Sequence, residues 1–110
     1  MNYQHKELAA GRWAQMALCE QMANIGSEVS RAFNWKNKGN EEYSQQAFYR
    51  ALELIDLTVA CQKKYSRLRE ILRVREALVD YFYGENIYSS TETSWRKYFD
   101  AFVYAARKPR

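Results

Sequence analysis

Apolar residues recur along this chain at spacings of three and four, the signature of helices that bury one face. Between Trp13 and Lys38 the repeat runs through Leu18, Met22, Ile25, Val29 and Ala32, a single stripe. Lys36 and Lys38 suit the negative end of that helix dipole, and Gly39 supplies the left-handed residue that commonly closes such a helix. Asn40 then reads as an N-cap, with Glu41 and Glu42 in the first turn of a second helix running to about Ala60. At ~100° per residue, Ala47, Phe48, Ala51, Leu52, Leu54, Ile55 and Val59 occupy one side of it, and Gln45, Gln46, Tyr49, Arg50, Glu53 and Asp56 the other. A stripe that wide faces two neighbours.

Cys61 to Tyr65 makes a polar connection, and Ser66 is the predicted cap of a third helix that reaches Tyr83. Leu68, Ile71, Leu72, Leu78, Val79 and Phe82 form its core face. Gly84-Glu85-Asn86 breaks the pattern, Ser89 with Glu92 spells a capping box, and Trp95, Phe99, Phe102, Val103 and Ala106 make a fourth stripe that ends before Pro109. With one proline, no strand alternation and short connections, the predicted fold is all-α, an antiparallel up-down-up-down four-helix bundle. Residues 1–12 are polar and read as an N-terminal arm ahead of a single domain over 13–110.

Composition agrees with a folded domain. Hydrophobic residues make up 47% of the 110 and charged residues 27%, unlike the low-apolar, high-charge profile of disorder. No apolar run approaches the ~18 residues that span a bilayer, and the first residues lack the apolar core of a secretion signal. A cytoplasmic protein with no membrane partner is expected, in which Cys19 and Cys61 are reduced thiols.

The net charge of +4 matters mainly through its placement. Helices that alternate in direction gather Lys6, Arg12, Lys63, Lys64, Arg67, Arg107, Lys108 and Arg110 at one end, against few acids such as Glu7 and Glu20. Glu41, Glu42, Glu85 and Glu92 collect at the other, with Lys36 and Lys38. Such a cationic end suits the phosphates of RNA or DNA, and Tyr3, Trp13 and Tyr65 lie in the same region to stack on unpaired bases. Solvated loops, or complementary ends that draw copies together, are the plainer alternatives. Arg69 and Arg73 share a helix face with Glu76 and Asp80, so their charge is expected to be neutralised within the helix.

Arg75 projects among the apolar residues of the third helix, where an unpaired guanidinium would be costly. A buried ion pair with Glu28 or Asp100, at the edges of the first and fourth stripes, is expected to fix the helix register. Trp13 and Trp35 project away from the first stripe if that helix runs through both, which points to an interface between copies in a homo-oligomer. A helix that starts later, near Met16, would instead leave Trp13 to fold back over the core.

Catalytic chemistry is sparse. His5 is the only histidine and lies in the arm, no glycine-rich loop cradles a phosphate, and the cysteines lack companions at zinc-ligand spacing. No cofactor is expected. Two carboxylate pairs remain, Glu53 with Asp56 and Glu76 with Asp80, which on adjacent helices could hold magnesium against a nucleotide. The pattern resembles that of the all-α nucleoside triphosphate pyrophosphohydrolases, with Glu-x-x-Glu on one helix and Glu-x-x-Asp on the next. It departs from it in that Asp56 replaces a glutamate, the second spacing is one residue too long, and both pairs project to polar faces beside Arg50 and Arg73.

The stretches Asn24-Ile-Gly-Ser-Glu-Val-Ser-Arg-Ala32 and Ala47-Phe-Tyr-Arg-Ala-Leu-Glu-Leu-Ile-Asp-Leu-Thr58 are similar to a group of short prokaryotic all-α proteins without an assigned activity. In architecture the chain also resembles the HEPN bundles of toxin–antitoxin systems, whose ribonucleases use Arg-x4-6-His. No arginine precedes His5, which excludes that chemistry here. Size, helix count and basic bias further resemble the accessory variability determinant of diversity-generating retroelements, an oligomeric bundle that associates with nucleic acid and a reverse transcriptase. The cationic end, the outward tryptophans and the lack of a catalytic motif together give the expected function, a non-enzymatic, self-associating accessory or adaptor protein that touches RNA, DNA or a protein partner, with a magnesium-dependent nucleotide hydrolase using Glu53, Asp56, Glu76 and Asp80 as the alternative.

Overall fold

A computed structural model of the protein describes residues 11–108, and these form four α-helices with no strand. Helix α1 spans Leu18–Asn37, α2 Glu41–Cys61, α3 Tyr65–Tyr83 and α4 Glu92–Arg107, with a short 3-10 turn at Trp13–Gln15 ahead of them. They pack as a helical bundle in which α1 lies against both α2 and α4, while α3 and the 3-10 turn lie against α2. No helix among the described residues is long and apolar enough to cross a membrane.

The predicted stripes of α1 and α2 supply most of the core. Met22, Ile25, Val29 and Ala32 are buried with Ala47, Phe48, Ala51, Leu54 and Ile55, and Leu78, Trp95 and Phe99 complete the cluster from α3 and α4. Phe82 joins three helices, its ring stacked 4.3 Å from Phe48 and tilted 5.1 Å from Phe33. The corner between α1 and α2 follows the sequence signals. Gly39 takes φ 82°, and the Asn40 side chain accepts the Tyr43 N–H at 3.0 Å.

Gly26 explains how closely α1 and α4 approach. A Cβ at this position would stand 2.7 Å from Phe99 Cβ and 2.9 Å from its Cγ. Glycine in mid-helix sacrifices about 1 kcal/mol of helix propensity relative to alanine, so its presence here reflects packing.

Polar contacts fix which residues lie level across the helices. Between α1 and α2, the Ser44 hydroxyl donates to Ala32 O at 2.8 Å and Arg50 Nε donates to Glu28 Oε2 at 2.8 Å. Between α1 and α4, Arg96 donates to Ser30 Oγ at 2.8 Å and Asn34 Oδ1 at 2.9 Å, and Asn37 donates to Glu92 Oε1 at 3.2 Å. Arg96 also donates to Glu92 at 2.9 Å and lies over the Phe33 ring. Arg96 and Asn37 together hold the Glu92 carboxyl below the usual carboxylate range, the arginine hydrogen bond being the larger cause.

Several expectations are corrected. Helix α3 begins at Tyr65 with Lys64 as N-cap and no side-chain cap, so Ser66 lies inside the first turn. The capping box of α4 is Thr91 with Ser94, while Ser89 is held at φ 54° in the connection. The buried line of α3 is Ile71, Val74 and Leu78, which turns Leu72 outward to 44% exposure. Glu53, expected on a polar face, is buried, because α2 is covered by α1, α3 and the 3-10 turn together. Asp80, expected to neutralise the arginines of its own helix, instead accepts the Ile87 and Tyr88 backbone N–H groups at 3.0 and 3.2 Å and ties the connection to α4 onto α3.

Candidate functional site

The segment ahead of α1 folds back over α2. The Trp13 indole is too large and apolar to leave in water, and it is only 2% exposed, with its N–H satisfied by Thr58 Oγ1 at 3.0 Å. Thr58 in turn donates to Leu54 O at 2.8 Å. Helix α1 therefore starts only at Leu18, and Trp13 is a core residue that cannot serve as an oligomer interface. Trp35 is half-buried, set edge-on to Tyr43 at 4.9 Å with Lys38 Nζ 5.2 Å from its ring.

Folding Trp13 inward brings the start of α1 against the bend between α2 and α3. A groove of about 280 Å³ forms there, lined by Met16, Leu18 and Gln21 on one side and Lys63, Lys64 and Arg67 on the other. Among the described residues three cations line it and no carboxylate does. Cys61, a free and half-buried thiol, also reaches it.

Gln21 was invisible to charge counting, although a polar residue at a stripe position between Leu18 and Ile25 is a sequence signal. It is 3% exposed, and its Nε2 donates to Trp13 O at 2.8 Å. A backbone carbonyl only accepts hydrogen bonds, so this contact sets the amide orientation.

The helix α3 that rises from this groove has no acid in its first turn and no side-chain cap. Lys63, Lys64 and Arg67 thus crowd the positive end of a helix dipole, where cations are unfavourable by about 0.3–1 kcal/mol each when exposed. An anion at that place is favoured both by the dipole and by the side chains. Tyr65, at the same end, is 72% exposed, with the Arg69 guanidinium 5.8 Å from its ring.

Among the other cationic residues singled out in the sequence, Arg12 is exposed just ahead of Trp13, and Arg107 and Lys108 are exposed at the end of α4. Lys6 and Arg110 lie outside the described residues, as do Tyr3 and His5.

The expected buried ion pair takes another form. Arg75 donates to Asp56 Oδ1 at 2.8 Å, not to Glu28 or Asp100, and both partners are about one-third exposed. Rotation of the α3 core line onto Ile71, Val74 and Leu78 places Arg75 on its flank, from which the side chain reaches the nearest α2 carboxylate. Glu28 is instead the acceptor of two arginines, Arg50 and Arg31, each at 2.8 Å. Asp100 is exposed.

The four carboxylates Glu53, Asp56, Glu76 and Asp80 are not brought together. Glu53 is buried, Asp56 holds Arg75, Glu76 bonds the Tyr88 side chain, and Asp80 accepts backbone N–H groups. Among the described residues no group of three or more His, Cys, Asp or Glu is placed to hold a metal ion.

Compared with models of known protein families, with characterised proteins and with solved structures, the chain matches none.

Proposed function

We propose that the protein is a non-enzymatic accessory module that contacts nucleic acid through the cationic end of an antiparallel up-down-up-down bundle. The alternating direction is supported by the order of contacts. Residues 32, 28 and 13 fall level with 44, 50 and 58, residue 56 with 75 and 48 with 82, and residues 37, 34 and 26 with 92, 96 and 99. Continued along α4, the last series carries Arg107 and Lys108 toward the start of α1, the end that holds Lys63, Lys64 and Arg67.

The observation that carries the proposal is the groove itself, with three cations and, among the described residues, no carboxylate in its lining, set against the uncapped start of α3. Evolution for stability alone favours acids at that position. Phosphate neutralises the cluster and releases counterions from the nucleic acid, so affinity should fall steeply with salt. Self-association, a second part of the proposal, draws support from exposed aromatic side chains such as Tyr104 rather than from Trp13.

The test is fluorescence anisotropy with a labelled single-stranded oligonucleotide across a salt series. Replacing Lys63, Lys64 and Arg67 together by alanine should weaken binding at low salt by at least tenfold. It should also flatten the log–log salt slope by roughly 2–3, since each phosphate that is no longer neutralised lowers the slope by about one. Circular dichroism should show unchanged helix content. Equal binding by the triple variant would remove the proposal.

A further inference from the structure

Helix α3 carries a stripe that the bundle leaves uncovered. At ~100° per residue Tyr65, Arg69, Leu72, Glu76, Val79 and Tyr83 fall within about 80° of one another, away from the buried line of Ile71, Val74 and Leu78. Tyr65, Leu72 and Tyr83 are 72%, 44% and 48% exposed, and Arg69 and Glu76 are exposed between them. The sequence predicts that Glu76 and Asp80 neutralise Arg69 and Arg73 within the helix, yet among the described residues none of the four enters an ion pair. Asp80 is taken up by the backbone of the next connection, Glu76 bonds the Tyr88 side chain, and Arg69 lies over the Tyr65 ring. Arg69 and Glu76 stand about 10 Å apart along the axis, too far to meet each other.

Along the stripe the order is aromatic, cation, leucine, anion, aromatic. A two-fold axis near Leu72 turns that order onto itself with the two charges exchanged. We propose that this stripe is the interface of a two-fold dimer, α3 packing antiparallel on α3 of a second copy, with Leu72 at the axis and Arg69 of each copy against the partner's Glu76. The proposal deepens the self-association part of the proposed function and rests on it. Burial of Leu72 and the tyrosine rings supplies the attraction, and the flanking charges set direction and register. A parallel copy would place Arg69 against Arg69 and Glu76 against Glu76, so charge selects the antiparallel arrangement. A helix of 19 residues is only about 28 Å long. Its interface therefore lies at the small end of known sizes, and a weak, micromolar dimer is expected.

The test is sedimentation equilibrium at low salt, from low to high micromolar protein and without nucleic acid. Wild-type protein should pass from monomer to dimer with no larger species, because a two-fold contact closes on itself. Arg69→Glu and Glu76→Arg each turn two attractive contacts into repulsive ones and should each raise the dissociation constant by roughly tenfold. An equimolar mixture of these two variants restores both attractive contacts and should dimerise as wild type does. Leu72→Asp, at an exposed position, should abolish the dimer with unchanged helix content, and it carries the test alone if a charge variant fails to fold. A wild-type dimer that all three substitutions leave intact would overturn this interface and leave self-association through another face. Weakened single variants that fail to recover on mixing would overturn the antiparallel register. Wild-type protein that stays monomeric throughout would overturn both the interface and self-association.

Discussion

Tyr98 is the residue whose chemistry is least settled by its surroundings. Its hydroxyl is buried without a hydrogen-bond partner among the described residues, and burial pushes the phenol up to about 12. A buried hydroxyl without a partner is unfavourable, so Tyr98→Phe is expected to raise stability by about 1 kcal/mol in urea unfolding at neutral pH. Tyr83 is also raised to about 12, first by burial and then by its hydrogen bond with Tyr49. Since both folded values exceed the ordinary one near 10, their contribution is complete below pH 10 and is lost as pH climbs toward 12. The urea midpoint should therefore fall over that window, and Tyr98→Phe should reduce the fall; an identical alkaline limb in the variant would contradict this. None of this was legible in the sequence, where nine tyrosines look alike until packing distinguishes them.

At the scale of elements, the contact between α1 and α4 combines a steric fit with a polar strip. For Gly26→Ala the two relevant effects have opposite signs. Helix propensity alone would stabilise by about 1 kcal/mol, whereas forcing Phe99 Cβ away moves a backbone and is unfavourable by roughly 1–3 kcal/mol. With a 2.7 Å approach to the first side-chain atom of Phe99, the steric effect wins. The melting temperature should drop by roughly 5–10 °C, as suits a net loss of about 1 kcal/mol in a domain this small; a rise would mean the helices part freely. In the strip, Glu92 is depressed by Arg96 and then Asn37, so its stabilisation is present above the ordinary carboxylate value and disappears as pH falls through the lower folded one. Glu92→Gln should lower stability at neutral pH and lessen its decline in acid, read from melting temperatures between pH 7 and pH 3. The apolar periodicity revealed these helices and most of their cores. The N-caps of α3 and α4 each lie two residues from the expected serine: α3 has Lys64 as N-cap without any side-chain cap, and in α4 Thr91 takes the place of the chemically similar Ser89.

For the whole molecule, net charge said less than its arrangement. Lys63, Lys64 and Arg67 were legible as a basic bend, but the groove they line depends on the 3-10 turn at Trp13–Gln15, which breaks the helical pattern just where the periodic reading carries it through. Trp13 illustrates why. A helical wheel run through it points to solvent and a start near Met16 points to the core, and a contact across 45 residues decides for the core. Arg75 shows the same limit, since the choice among Asp56, Glu28 and Asp100 is set by the rotation of α3 about its axis. One consequence of the inward fold of Trp13 is spectroscopic. The chain's three tryptophans occupy three separate junctions, Trp13 on α2, Trp35 beside the α1–α2 corner and Trp95 in the core from α4. Their intrinsic emission therefore reports on three regions of the bundle, and pairwise replacement by phenylalanine would let each be watched as it opens.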